Sequence, residues 1–482
     1  MKKIYFLAAM FFFASNASAN VYAGNSATPS SGKSPQTLAG GDVQLLSVKL
    51  TKFMVAGDQT MIKVTLKNNG TTNITSVELN WNDGTGDHKQ RVVAYLNVGQ
   101  QREIAHPVPL TADGSVIETK NVTVTVTQVN DGPDTNPADN TQQAPISIVS
   151  QSISKKVIFE EGTGTWCGWC PRGMVALDAV NQQYPDDQIS IAVHNNDPMV
   201  LAPYNAGAAF SGFPGMNVDR ELKGVDINPN SIGNYVTTRK QLLSPAQLTG
   251  DFSITGSTLS ANVNAKFLIN NPNTNYRLAV VIVEDGVKGT ANGYRQSNYY
   301  SGGGNGPMGG FENLPNPVPA AQMVYDHVGR ALLGGYNGEV NSVPAAITDG
   351  QNVGYTFEYT VPAEYIKDNI HAVLLLIDSS DGTILDGAKL TKTNLAVNDT
   401  KANAAEYTIY PNPAKTDFNL KFPANGTYTV TVYDMNGREV KNSGAVNVMN
   451  KTALLTIKLL PGKYFVNISK DGKSVTKDLL VK

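Results

Sequence analysis

Alternation of apolar and polar residues, repeated in segment after segment, constrains this chain more than any other feature. Ile62, Val64 and Leu66 fall on one face, as do Val122, Val124 and Val126. The same period of two returns in Leu259, Ala261, Val263, Ala265 and Phe267, then in Tyr428, Val430 and Val432, and in Tyr464, Val466 and Ile468. Such a period belongs to half-buried strands, whose side chains point alternately to core and water. Charged residues are only 16% of the 482. The Asn, Thr, Ser and Gly that replace them favour strands and turns over long solvated helices. At roughly 150 residues per domain, the length predicts three or four domains. A net charge of −2 argues against a nucleic-acid partner, which would need a basic face. Two cysteines are too few for a disulfide-dense scaffold.

The N-terminus carries an address. Lys2 and Lys3 precede an apolar run over 4–14, and Ala17-Ser18-Ala19 is a small-x-small cleavage pattern. Residues 1–19 therefore read as a signal peptide, with the mature chain starting at Asn20. The run falls short of the roughly 20 residues that span a bilayer. No later segment reaches that length, so no transmembrane segment is expected in the mature chain.

Pattern and composition divide the remainder. Residues 20–41 read as a flexible leader and 42–150 as an all-β sandwich of immunoglobulin size. Residues 151–248 change character: Val157-Ile158-Phe159 is a buried strand, a helix carries Met174, Leu177 and Val180, and Ile189–Val193 is a second strand. The helix begins near Cys167 and stops before Tyr184-Pro185. That β-α-β order implies a parallel sheet. Residues 249–397 return to β structure, with Leu278–Val283 and Ala372–Ile377 as fully buried strands. The glycine-rich loop Ser301–Gly310 lacks the Gly-Lys-Ser/Thr ending of a phosphate cradle and reads as flexible surface. Residues 404–482 make a small sandwich of six or seven strands, with hairpin signals at Asn436-Gly437 and Asp471-Gly472.

One motif carries chemistry. Both cysteines lie in Trp166-Cys167-Gly168-Trp169-Cys170-Pro171, between the buried strand and the helix. At a helix N-terminus the Cys167 sulfur faces unpaired backbone N–H groups and the positive end of the dipole, which favour thiolate over thiol. Cys170, one turn later and more buried, is placed to resolve a mixed disulfide. Trp166 and Trp169 wall the site and offer an apolar landing surface. The lesser alternative is a structural staple, since closing so short a loop adds little stability. Haem attachment needs His at 171, where Pro171 stands, and a zinc site needs further ligands. No metal or cofactor is expected. Asp131, Asp134, Asp139 and Asn140 fit no calcium-loop template and read as solvated turn residues. His194, at the carboxyl end of a parallel strand, lies on the edge shared with the cysteine helix start; it reads first as a hydrogen-bonded loop histidine, with tuning of the thiols as the functional alternative. His88, His106, His327 and His371 show no ligand spacing.

Three resemblances extend this reading. The run 159–171, Phe-Glu-Glu-Gly-Thr-Gly-Thr-Trp-Cys-Gly-Trp-Cys-Pro, resembles the thioredoxin fold and, more specifically, the Omp28-related outer membrane protein family. The thioredoxin resemblance implies a cis-proline facing the cysteines, for which Phe213-Pro214 is the candidate, and a buried acid before them, matched by Glu161. It makes Cys167, Cys170, Pro214 and Glu161 the catalytic candidates, and Trp166, Trp169 and Phe213 the candidates for substrate contact. Whether Glu160 or Glu161 points inward stays open, and a solvated strand end is the competing reading to a proton acceptor. Residues 404–482 resemble the type A C-terminal sorting domain of the type IX secretion system. The likeness is carried by Tyr410-Pro411-Asn412-Pro413-Ala414, Val432-Tyr433-Asp434-Met435-Asn436-Gly437-Arg438 and Leu460-Pro461-Gly462-Lys463-Tyr464. It implies export to the cell surface or beyond, with the secretion machinery as a partner. The N-terminal sandwich, ending in Asn136-Pro137-Ala138-Asp139-Asn140, resembles CARDB-type modules. The expected fold is multidomain and mainly β, with immunoglobulin-like sandwiches flanking an α/β thioredoxin-like domain. The expected function is thiol–disulfide exchange on exported proteins or with an external thiol partner. The alternative is a non-enzymatic surface adhesion or binding protein with a structural disulfide.

Overall fold

A computed structural model describes residues 41–393 and 407–482, apart from Ser115, Asn436, Ile457, Asp471 and Gly472. The signal peptide, nearly all of the leader, and Asn436, Asp471 and Gly472 of the hairpin turns lie outside the described residues. The described residues form two compact units, one of residues 41–50, 59–111 and 120–146, the other of 51–58, 112–119, 147–393 and 407–482. Both are mainly β.

In the first unit, Val43–Lys49, Lys63–Asn68 and Gln101–Ala105 make one antiparallel sheet. Ile74–Asn82 pairs with Asp87–Leu96 on one side and Thr119–Val129 on the other. The alternating residues Ile62, Val64, Leu66, Val122, Val124 and Val126 are all buried. Asp131 pairs with Arg91, and Asp134 accepts from the Val43 and Asn136 amides.

The body of the second unit is built on one eight-stranded mixed sheet. Its order is Leu222–Lys223, Gly215–Val218, Val157–Thr163, Gln188–His194, Val328–Leu333, Tyr276–Glu284, Ile370–Asp378 and Thr383–Lys389. Val157–Thr163, Gln188–His194 and Val328–Leu333 run parallel, and the remaining pairs are antiparallel. The sheet crosses the boundary expected at 248/249. The reason is physical: Leu278–Val283 and Ala372–Ile377 are apolar on both faces and need cover on both, as central strands do. One face packs Leu278, Val280, Ile282, Ala372, Leu374 and Leu376 against Phe252, Leu259, Ala261, Val263 and Phe267. Those partners belong to a four-stranded sheet of Asn352–Thr360, Thr258–Phe267, Ala246–Thr255 and Thr391–Lys392. On the other face, Ile158, Ile189, Ile191, Val193, Ala279, Val281, Val373 and Leu375 pack together with Tyr204; Val157 and Phe159 pack on Ala176, Leu177 and Val180 of the helix α1 (Pro171–Gln183) and on Ile232 and Val236.

Residues 407–482 have a core of their own, including Phe418, Leu420, Tyr428, Val430, Val432, Val466 and Ile468. Seven strands form its three-stranded and four-stranded sheets. Among the described residues no helix is long and apolar enough to cross a membrane.

Candidate functional site

Cys167 and Cys170 are joined in a disulfide, with Cα atoms 5.3 Å apart. The helix starts later than expected. Pro171, whose fixed φ suits a first helical position, opens α1, and Cys170 is its N-cap. Cys167 lies in the preceding turn, its amide donating to Gly164 O at 3.0 Å and its carbonyl accepting from Cys170 N at 3.2 Å. Cys167 is 4% exposed and Cys170 fully buried. The tryptophans beside them are open to solvent, Trp166 at 48% and Trp169 at 42%.

Strand alternation resolves the two glutamates. Both are buried, but successive side chains point to opposite faces of a strand. Glu160 accepts from the Tyr204 hydroxyl at 2.7 Å and from Arg220, whose guanidinium lies 3.6 Å from the centre of the Tyr336 ring. Glu161 faces the first turn of α1, where its carboxylate lies directly against Gly173. Burial pushes the Glu161 carboxyl up to about 8. A Cβ on Gly173 would overlap Glu161 Oε1. Gly173→Ala is therefore expected to destabilise the protein by roughly 1–3 kcal/mol, measured as a lowered urea midpoint.

Glu161 also lines a pocket of about 130 Å³ with Thr163, Asp178, His194 and His327. Glu161 Oε1 and Thr163 Oγ1 are buried without a hydrogen-bond partner among the described residues, and a polar pocket of this size accommodates water. His194 is buried, with Nδ1 2.7 Å from Asp197 Oδ2, which also accepts from Thr165 N at 3.0 Å. His194 thus reaches the same pocket as Glu161 and is tied through Asp197 to the cysteine loop. His327 and His371 converge on Asp285. Among the described residues, no group of side chains forms a metal site.

The Phe213–Pro214 bond is cis. Its strand, Gly215–Val218, pairs with Val157–Thr163, and the Phe213 ring meets Trp166 edge-on at 5.5 Å. The fold thus gathers Trp166, Cys167, Trp169, Cys170, Glu161, Phe213 and Pro214 around the end of one strand and the start of α1.

Sequence reasoning missed what comes from far along the chain. Gln296, fully buried, donates Nε2 to Cys167 O at 2.9 Å. Ser297 N donates to Thr165 O and Tyr299 N to Gly168 O. The adjoining loop Ser301–Gly310, read as flexible surface, is a run of hydrogen-bonded turns: Gly302 N donates to Glu312 O, and the Glu312 carboxylate accepts from Met308 N and Gly310 N. Positive φ at Gly302, Gly303 and Gly306 explains why glycines are needed there. The Tyr299-Tyr300 doublet is the one local hint of this packing.

Residues 203–394 match the family model of outer membrane protein Omp28, and residues 408–482 match that of the secretion system C-terminal sorting domain. The first match begins after the cysteine motif. Among solved structures, HBP35 of Porphyromonas gingivalis is similar at 18% identity and a TM-score of 0.37, over 69% of this chain and 99% of that one. A CARDB domain from Pyrococcus furiosus is similar at 16% identity and a TM-score of 0.19, over 23% of this chain and 97% of its own. A protein from Agrobacterium tumefaciens is similar at 14% identity and a TM-score of 0.28, over 50% and 96%. No curated protein matches the chain.

Proposed function

We propose that the Cys167–Cys170 pair of this chain, whose sorting domain makes it a secreted or cell-surface protein, exchanges thiols and disulfides with exported proteins in a thioredoxin-like manner. A client thiolate attacks Cys167 Sγ, forming a mixed disulfide as the Cys167–Cys170 bond breaks. Cys170 leaves as a thiolate and takes a proton from Glu161, which is protonated at neutral pH because burial raises it. A second client thiolate then attacks the client sulfur, releasing Cys167. Two electrons pass from the client dithiol to the cysteine pair, and the reverse sequence oxidises the pair again. Pro214 helps hold the client strand, and Trp166, Trp169 and Phe213 contact it. The carrying observation is a disulfide seated where a turn becomes α1, beside two exposed tryptophans, with a buried carboxyl against Gly173 in the first turn of that helix.

The deep burial of both sulfurs favours a second reading, a surface binding protein with an inert disulfide. The reduction potential of the mature protein decides between them. A value more oxidising than about −300 mV supports exchange, and a more negative one supports a structural bond.

Glu161 supplies a further test. Its folded-state value lies above the unfolded 4.5, so between pH 4.5 and 8 the unfolded chain loses a proton that the folded chain keeps. Stability therefore falls as pH rises through that window, by up to about 1.4 kcal/mol per pH unit. Glu161→Gln is expected to remove this slope, measured as urea midpoints of the oxidised protein from pH 4.5 to 8.

A further inference from the structure

We infer that Tyr299, held over the cysteine loop by the segment beginning at Gln296, is a specificity-determining residue that selects client cysteines flanked by large apolar side chains; the inference rests on the exchange reaction proposed above. Gln296, Ser297 and Tyr299 run along the cysteine loop and occupy the carbonyls of Cys167, Thr165 and Gly168 at 2.9, 2.8 and 2.9 Å. Each of those three carbonyls already accepts a hydrogen bond from this segment, and the exposed groups beside the sulfurs are aromatic side chains. Gly168 is what lets the ring settle: a Cβ there would lie 2.5 Å from Tyr299 ring carbons. Tyr299 remains 52% exposed and meets Trp169 edge-on at 5.4 Å, while Trp166 meets Phe213 at 5.5 Å. An aromatic contact thus stands next to each cysteine in the chain, and Trp169 meets Tyr300 as well, at 5.5 Å.

Burial of the sulfurs makes these rings matter. Cys167 is only 4% exposed, while Trp166, Trp169 and Tyr299 of the same neighbourhood stand open to solvent, so these rings are what an arriving client segment meets. The residues flanking the client cysteine then lie against ring faces, where an apolar side chain removes aromatic surface from water and a charged one loses hydration. The selected partner is an extended segment with Phe, Leu or a similar residue next to its cysteine.

The test uses the oxidised mature protein, with single-cysteine peptides flanked either by Phe and Leu or by Asp and Lys. Dithiothreitol serves as a thiol without flanking residues. Stopped-flow rates are measured for the parent, Tyr299→Ala and Tyr299→Phe. The parent is expected to react about tenfold faster with the apolar peptide. Tyr299→Ala should lose that preference while keeping the dithiothreitol rate, and Tyr299→Phe should retain both. Equal slowing towards dithiothreitol and both peptides would show a structural role and overturn the inference, as would an unchanged preference in Tyr299→Ala. A parent inert to dithiothreitol would overturn the exchange reaction itself, and the selectivity with it.

Discussion

Cys170→Ala is expected to accumulate mixed disulfides between Cys167 and client proteins, visible as thiol-sensitive bands on non-reducing gels. Cys167→Ala should give none and lower exchange by at least about 10³-fold. The asymmetry follows from position. Cys170 is the fully buried N-cap of α1, and Cys167 sits in the turn before it with the small exposure that remains. Removing the buried partner leaves the first sulfur able to be captured but unable to be released. Removing Cys167 leaves only a sulfur that solvent and clients do not reach. Equal trapping by both variants, or by neither, would show that the pair does not act in sequence, and the structural reading would stand.

Arg220→Ala is the second large effect, expected to cost about 3–5 kcal/mol in urea unfolding. The Arg220 guanidinium donates to both Glu160 oxygens at 2.8–3.1 Å and to the Tyr336 carbonyl, and it stacks on the Tyr336 ring. Truncation leaves the Glu160 carboxylate buried with only the Tyr204 hydroxyl for company. The loss therefore comes chiefly from an uncompensated charge, not from the missing pair itself. The double variant Glu160→Gln with Arg220→Met should recover much of that loss. If it is no more stable than Arg220→Ala, packing of the arginine stem on its neighbours accounts for most of the effect.

Where neighbours in sequence are neighbours in space, the sequence was a good guide. Leu259 to Phe267 alternate and bury one face, and the cysteine motif, its preceding strand and its following helix all fall within about thirty residues. The β-α-β order was legible for that reason. The Glu160 and Glu161 ambiguity was not, because both are buried and only the partners on each face, Arg220 and Gly173, tell them apart. Gln296 and Tyr299 were invisible because their contacts span more than 125 positions, and neither residue type is distinctive alone. That strands from both sides of residue 248 share one sheet was hidden for a related reason: apolar runs announce burial but not which strand lies alongside. The helix start slipped because Pro171 sets it more firmly than the cysteines do.

The continuous sheet from Val157 to Lys389 bears on how this cysteine centre can be inherited. A cassette ended near residue 248 would carry both sulfurs and α1, yet strip Gln188–His194 of its neighbour Val328–Leu333 and remove the tyrosine above Gly168. The unpaired edge would then be an invitation to aggregate. Gene shuffling that moved the sulfur pair to another surface protein would have to transplant the whole body with it, while the strands after residue 407, with their separate core, could be exchanged as a label.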